Sequence, residues 1–287
     1  VVTSVGLLGV AAPVSAGERN DLFEQLRSEG VPVGSGLMAK LPEPAMADGL
    51  DAAAQGLVLA AVAGGDYPVE ELLRPAVVAP FVLKYHDVRP ADAGAPAYGI
   101  DVYFVARGDL EALGGKDFFD RWQSGRDDRK VHVLTPAELA ARKLVERTAR
   151  DRQERYGHVV FTVLDRVQIS ATLRAVTTRG PDSVLGAARV DPRFADDAEF
   201  PNRWRSVHRD DDGRAVLGAA HPYGGAGAYV KVTRLVEPAG ALFVEYHLVF
   251  VEPRAWFGGA NLLRSKVPVL AQSEIRAFRR ELARAKR

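Results

Sequence analysis

The richest cluster of potential ligating side chains is Asp191-Pro-Arg-Phe-Ala-Asp-Asp-Ala-Glu-Phe-Pro-Asn-Arg-Trp204, whose Asp191, Asp196, Asp197 and Glu199 offer carboxylate oxygens of the kind a hard cation such as calcium takes. Their spacing follows no EF-hand loop. With arginines interleaved, and with Phe194, Phe200 and Trp204 available to pack down, the stretch reads as a structured loop held by Asp–Arg pairs. Asp210-Asp211-Asp212-Gly213 has the composition of a turn. His221-Pro-Tyr-Gly-Gly-Ala-Gly-Ala-Tyr229 is glycine-rich, but it precedes a strand, whereas phosphate-cradling loops open a helix. It reads as a close backbone approach, or as a pocket rim carrying His221 and Tyr223. Glu245 and His247 stand two apart on one strand, the spacing of an acid/base pair on a common face. Cross-strand charge pairing on a solvated face is the simpler account of them. The six histidines form neither His-x-x-x-His nor His-Glu-x-x-His, and no Gly-x-Ser-x-Gly occurs. No catalytic residue, metal ligand or cofactor is therefore assigned, although a constellation of distant residues stays open.

Such groups act only where elements hold them, and the clearest elements lie at the C-terminal end. Tyr229–Glu237 and Ala241–Phe250 alternate apolar and polar residues around Pro238-Ala239-Gly240. A three-residue loop there sets Lys231 opposite His247 and Thr233 opposite Glu245, with Val230, Val232, Val236, Leu242, Tyr246 and Leu248 on the other face. From about Pro268, Ala271, Ile275, Phe278 and Leu282 recur at helical spacing, so an amphipathic helix is expected to lie on the apolar face of the hairpin. Trp256 and Phe257, followed by two glycines, stand at the hinge between hairpin and helix.

Farther upstream, Asp21 to Ser28 suggests a short helix. Val31 to Pro44 reads as loop or extended chain, and Asp48 as the cap of an alanine-rich buried helix ending at Gly64-Gly65. Phe81–Val88 and Ile100–Ala106 alternate as strands, and Asp117 to Trp122 suggests a short helix. Thr135-Pro136-Ala137-Glu138 is a capping box with proline at the first helical position, from which a helix is expected to run to about Arg155. Strands follow over 158–164, 167–175, 183–190, 203–208 and 215–218.

The chain has 287 residues, no cysteine and a formal net charge of +1. These facts exclude disulfides and thiolate chemistry, and they argue against a nucleic-acid partner bound through a broad basic surface. No run is long and apolar enough to span a bilayer. Residues 1–16 are uncharged and end in Val14-Ser15-Ala16, as does the tail of a signal peptide cleaved after Ala16. That predicts export to a periplasmic or secreted destination. If this segment is a buried strand instead, a cytoplasmic protein is expected.

The order of elements resembles that of START-like helix-grip domains. The strands from His158 to Val251, then Trp256-Phe257-Gly258-Gly259, then the helix Val267 to Leu282 carry the resemblance. It implies an α+β fold in which a curved antiparallel sheet packs on a long C-terminal helix, with additional N-terminal helices. One domain over 17–287 is expected, helical in 17–75 and START-like over about 80–287. The resemblance also implies an apolar small molecule or lipid as partner, held between sheet and helix. The expected lining is Val232, Tyr246, Trp204, His221, Tyr223, Trp256, Phe257, Ile275 and Phe278, with Ala171, Ala175, Gly186 and Ala188 as small residues able to leave space. A cell-envelope structural or interaction protein with a filled core, and a secreted hydrolase with a non-motif site, are the alternatives.

Overall fold

The computed structural model describes residues 20–34, 36–89, 97–114, 129–253, 256–257 and 262–285. The segment 1–16, the helix expected at 117–122 and Gly258-Gly259 lie outside them.

The fold is α+β, a large curved antiparallel sheet with a long C-terminal helix and several N-terminal helices. At its centre β13 (Ala226–Arg234) pairs with β9 (Ser183–Val190) on one side and β14 (Ala241–Val251) on the other. Beyond β14 come β4 (Ala97–Arg107) and β3 (Val82–Arg89). Beyond β9 come β8 (Val167–Arg179), β7 (Arg152–Val163) and β5 (Arg129–Val133). The first half of β8 also pairs with β10 (Arg203–Arg209), on which β11 (Ala215–Leu217) and β12 (His221–Pro222) pair antiparallel.

Period-two alternation divides the strands between two faces. On the inner face Ile100, Val102, Phe104, Val230, Val232, Val244 and Leu248 are buried against the C-terminal helix, Leu262–Ala285. That helix presents Leu263, Val267, Ala271, Ile275, Phe278 and Leu282, the face expected from spacing but beginning earlier, with Pro268 inside it. Leu282 nests on Gly108, where a Cβ would meet its Cγ at 2.3 Å. Phe81, Leu83 and Tyr85 pack on the same core, as their alternation requires.

The outer face is covered by the N-terminal part. Helix α1 (Asp21–Ser28) is capped by the Asn20 side chain, which accepts from Phe23 N–H and donates to the carbonyls of Val176 and Leu185 in the sheet. The 31–39 stretch is a small hairpin, β1 (Val31–Gly34) with β2 (Leu37–Ala39). Helix α2 (Ala52–Ala63) is capped by Asp51 rather than Asp48, because Asp51 Oδ1 is the acceptor that meets Ala54 N–H, at 2.8 Å. Only one side of α2 is covered, and Leu57 stands 74 % exposed.

The structure corrects two further expectations. Helix α4 (Pro136–Ala141) has the full Thr135–Glu138 capping box but stops within two turns; α3 (Val69–Leu73) is likewise short. Lys143 takes φ 57°, and the chain returns as β6 (Thr148–Ala149) and β7, because sheet pairing outweighs helix propensity there. In the β13–β14 hairpin the register is shifted by two residues: Lys231 faces Glu245 and Tyr229 faces His247. The loop is longer than three residues, closed by Leu235 N–H to the Ala241 carbonyl, which leaves Val236 outside the ladder and 54 % exposed. A shift of two keeps every residue within the ladder on its face.

Candidate functional site

The nine expected lining residues fall into two groups on the inner face. Val232, Ile275 and Phe278 are buried in the core between sheet and C-terminal helix, with Tyr246 packed against it, and Phe278 meets Phe104 edge-on at 5.6 Å. The second group forms an aromatic cluster where β10 and β12 meet the start of β13. Trp204 stacks on His221 at 4.6 Å and meets Trp256 at 6.2 Å; Trp256 also lies 5.6 Å from Tyr223 and 6.3 Å from Phe257. Each aromatic pair contributes about 0.5–1.5 kcal/mol beyond its burial. His221 is exposed and covers the Trp204 ring from the solvent side.

Beside this cluster lies an apolar cavity of about 40 Å³, lined by Val159, Ile169, Ala171, Ala188, Leu248 and Tyr223 among others. Of the four small residues singled out in the sequence, Ala171 and Ala188 line it. Burial pushes the Tyr223 and Tyr246 phenols far above their ordinary range, so both are neutral hydroxyls. Tyr246 Oη and Trp256 Nε1 are buried and make no hydrogen bond among the described residues, and the charges of Arg129 and Glu274 lie close enough to act on the Tyr246 phenol.

The acidic segment after β9 is a structured loop. Asp197 and Glu199 take Arg142 at 2.6 and 3.2 Å, Asp196 takes Arg203 at 2.7 Å, and Asp191 accepts from Arg193 Nε at 2.9 Å. The Arg142 hydrogen bonds hold the Asp197 carboxyl well below the usual range. Phe194, Phe200 and Trp204 are buried beneath. Among the described residues, no three His, Asp or Glu side chains group closely enough to hold a metal ion.

Glu245 and His247 are not on a solvated face. Both are buried, at 0 % and 1 % exposure, under the N-terminal part. The Glu245 carboxylate accepts from the backbone N–H groups of Ala45 (2.6 Å) and Met46 (3.3 Å). Neighbouring Lys231 donates to the Met46 carbonyl at 2.7 Å and pairs with Asp48 at 2.9 Å. His247 Nδ1 lies 2.6 Å from Asp101, its Nε2 3.6 Å from Glu245, and its ring stacks on Tyr229 at 4.6 Å. Burial opposes charge on His247, but Asp101 and Glu245 outweigh it and raise its pKa. The arrangement favours the protonated form of His247 and docks the 43–48 segment on the sheet. The signal the sequence lacked was the cover itself, since residues 43–48 lie nearly two hundred positions from Glu245.

The architecture is a curved antiparallel sheet packed on the long C-terminal helix, the α+β arrangement expected from the order of elements. No family model and no curated protein matches the chain. Among solved structures, a human StarD13 (DLC2) lipid transfer and protein localization domain is 10% identical, covers 81% of this chain and 98% of its own, and has a TM-score of 0.38. Human STARD10 is 10% identical over 69% of this chain and 72% of its own, with a TM-score of 0.36. A conserved protein from Geobacillus kaustophilus is 10% identical over 66% and 97%, with a TM-score of 0.29. Among the described residues no helix is long and apolar enough to cross a membrane.

Proposed function

We propose that the protein binds a small apolar molecule on the inner face of its sheet, at the cavity beside Tyr223. The supporting observation is the cavity itself, kept open by Ala171 and Ala188 on adjoining strands where larger side chains would close it. An unfilled void forfeits dispersion contacts, so its retention has a cost that a ligand would recover. At about 40 Å³ it is far below the roughly 300–1,000 Å³ of common ligand pockets, so an occupant enlarges it by displacing side chains such as Tyr223.

A second reading, an interaction protein with a filled core, draws on the dense packing of Val232, Ile275 and Phe278. Native mass spectrometry of gently extracted protein separates the two. The binding reading predicts a bound small-molecule or lipid mass, and predicts that Ala171→Leu removes the adduct while the protein stays folded. A clean apo mass, with Ala171→Leu simply more stable through cavity filling, supports the filled core and overturns the binder.

A further inference from the structure

A second cleft, of about 150 Å³, lies at the edge of the core between the C-terminal helix and the chain leading into β3. Its walls are Val77, Val78 and Phe81 on one side and Ile275 on the other, and its polar groups are Tyr67, Gln272, Arg276 and Arg279.

Arg279 is 95 % covered, at 5 % exposure, yet no carboxylate among the described residues pairs with it. Its Nε donates to the Val105 carbonyl (2.8 Å), Nη1 to the carbonyls of Val77 (3.2 Å) and Ala79 (2.6 Å), and Nη2 to that of Pro80 (3.1 Å). The guanidinium also sits 5.4 Å over the Phe104 ring. Four of its five N–H groups are thus met by neutral acceptors, leaving one Nη2–H and the whole formal charge unmatched. Burial pulls its pKa down to about 10, the direction expected of a cation desolvated without a counter-ion. One turn earlier Arg276 faces the same cleft, half-buried, with no ion pair or hydrogen bond among the described residues. Buried charges are ordinarily paired. Here two guanidiniums converge on an open volume, beside an amide and a phenol, with no anion supplied by the described chain.

We propose that this cleft binds a phosphate group, its oxyanion bridging Arg276 and the free N–H of Arg279, with the Gln272 amide and Tyr67 hydroxyl as further donors. A tetrahedral dianion suits the site because it offers acceptors in several directions and two negative charges to two uncompensated cations. The volume admits a phosphate with its waters. The phosphate belongs either to a free ion or to a phospholipid headgroup approaching from solvent. None of the residues lining the apolar cavity beside Tyr223 takes part, so either proposal can fail without the other.

The test titrates inorganic phosphate into the full chain at low ionic strength by calorimetry. In parallel, it measures co-sedimentation with phosphatidic acid vesicles against phosphatidylcholine vesicles. Arg276→Ala is the diagnostic variant, since a half-buried side chain without partners is not needed for folding. Arg280→Ala, an exposed neighbour, is the control for nonspecific charge. Saturable binding of inorganic phosphate, weakened at least tenfold in Arg276→Ala and unchanged in Arg280→Ala, supports a free phosphate. Sedimentation with phosphatidic acid alone, lost in Arg276→Ala, together with silence toward inorganic phosphate, supports the headgroup. Silence in both arms, or equal loss in the two variants, overturns the site.

Discussion

Pro268 lies inside the C-terminal helix and has no N–H to offer the carbonyl four residues back, that of Arg264. The Tyr85 hydroxyl from β3 donates to that carbonyl at 3.1 Å, and the Arg264 guanidinium rests 5.4 Å over the Tyr85 ring. Burial, partly opposed by Arg264, pushes the phenol up to about 12, so it remains a donor throughout the physiological range. Removing the hydroxyl by Tyr85→Phe is expected to cost about 1 kcal/mol, the net worth of such a bond. In a Pro268→Ala background the helix supplies its own donor, and the same change should cost close to nothing. Urea denaturation of the four variants measures the coupling; equal costs in both backgrounds would mean that Tyr85 does not serve the proline. Pro268 was visible in the sequence, and so was the apolar face around it. Its partner was not, because Tyr85 stands 179 positions from Arg264, whose carbonyl it serves, and nothing local in Phe81–Val88 marks one tyrosine as a helix ligand. The Thr135–Glu138 box was fully legible for the opposite reason: donor, acceptor and helix start lie within four residues.

Elements follow the same division between local and distant causes. The alternation in β13 and β14 assigned faces correctly because a two-residue error in the loop leaves side-chain parity intact, whereas the loop length itself depended on how Leu235 and Ala241 close it. The run from Thr135 carried helix propensity as far as Arg155, but its second half finds partners in β8 and pairs there. Between β7 and β8 the chain turns through Leu164 and Asp165, both left-handed at φ 51° and 54°, with Arg166 N–H closing on the Val163 carbonyl at 3.1 Å. That turn type prefers Asn-Gly or Asp-Gly, and a non-glycine residue there carries a conformational cost. Asp165→Gly should therefore raise stability by about 0.5–1 kcal/mol and Asp165→Val lower it by at least as much, since a β-branched side chain tolerates positive φ poorly. Thermal melts of the two variants decide it. If glycine destabilises, the turn is held by the long β7–β8 ladder rather than by its own residues.

For the whole molecule, the decisive interactions are those joining the N-terminal cover to the outer face of the sheet. Some are apolar, such as Phe23 edge-on to Tyr229 at 5.0 Å, and Met46 among Leu59, Val105 and Phe243. Others are ionic: α1 is pinned by Asp21 to Arg152 and Arg174, each at 2.6 Å, and the 43–48 segment by Glu245 and Lys231. The ionic set makes docking depend on protonation. His247, raised above its unfolded 6.5 and flanked by Asp101 and Glu245, stabilises the fold as an imidazolium. Its contribution is complete below pH 6.5 and is lost as pH rises through the raised folded value. Glu252, pushed up to about 7 by burial, acts in the same direction over a lower window, with stability lost as pH rises from 4.5 through 7. Stability should thus decline as pH rises, and His247→Gln should flatten the part of the slope that begins at 6.5 while leaving the Glu252 part in place. Glu245→Ala is the sharper test of the latch. It strands the Ala45 and Met46 N–H groups and removes one of the two carboxylates beside His247, leaving Asp101, a loss of about 3–5 kcal/mol for a broken buried charge interaction. Because the β13–β14 ladder does not use that side chain, hydrogen exchange should show amides of residues 43–48 losing protection well before those of β13. Uniform loss across both would mean that cover and sheet unfold as one unit, and that Glu245 supports the global fold rather than the docking of one segment.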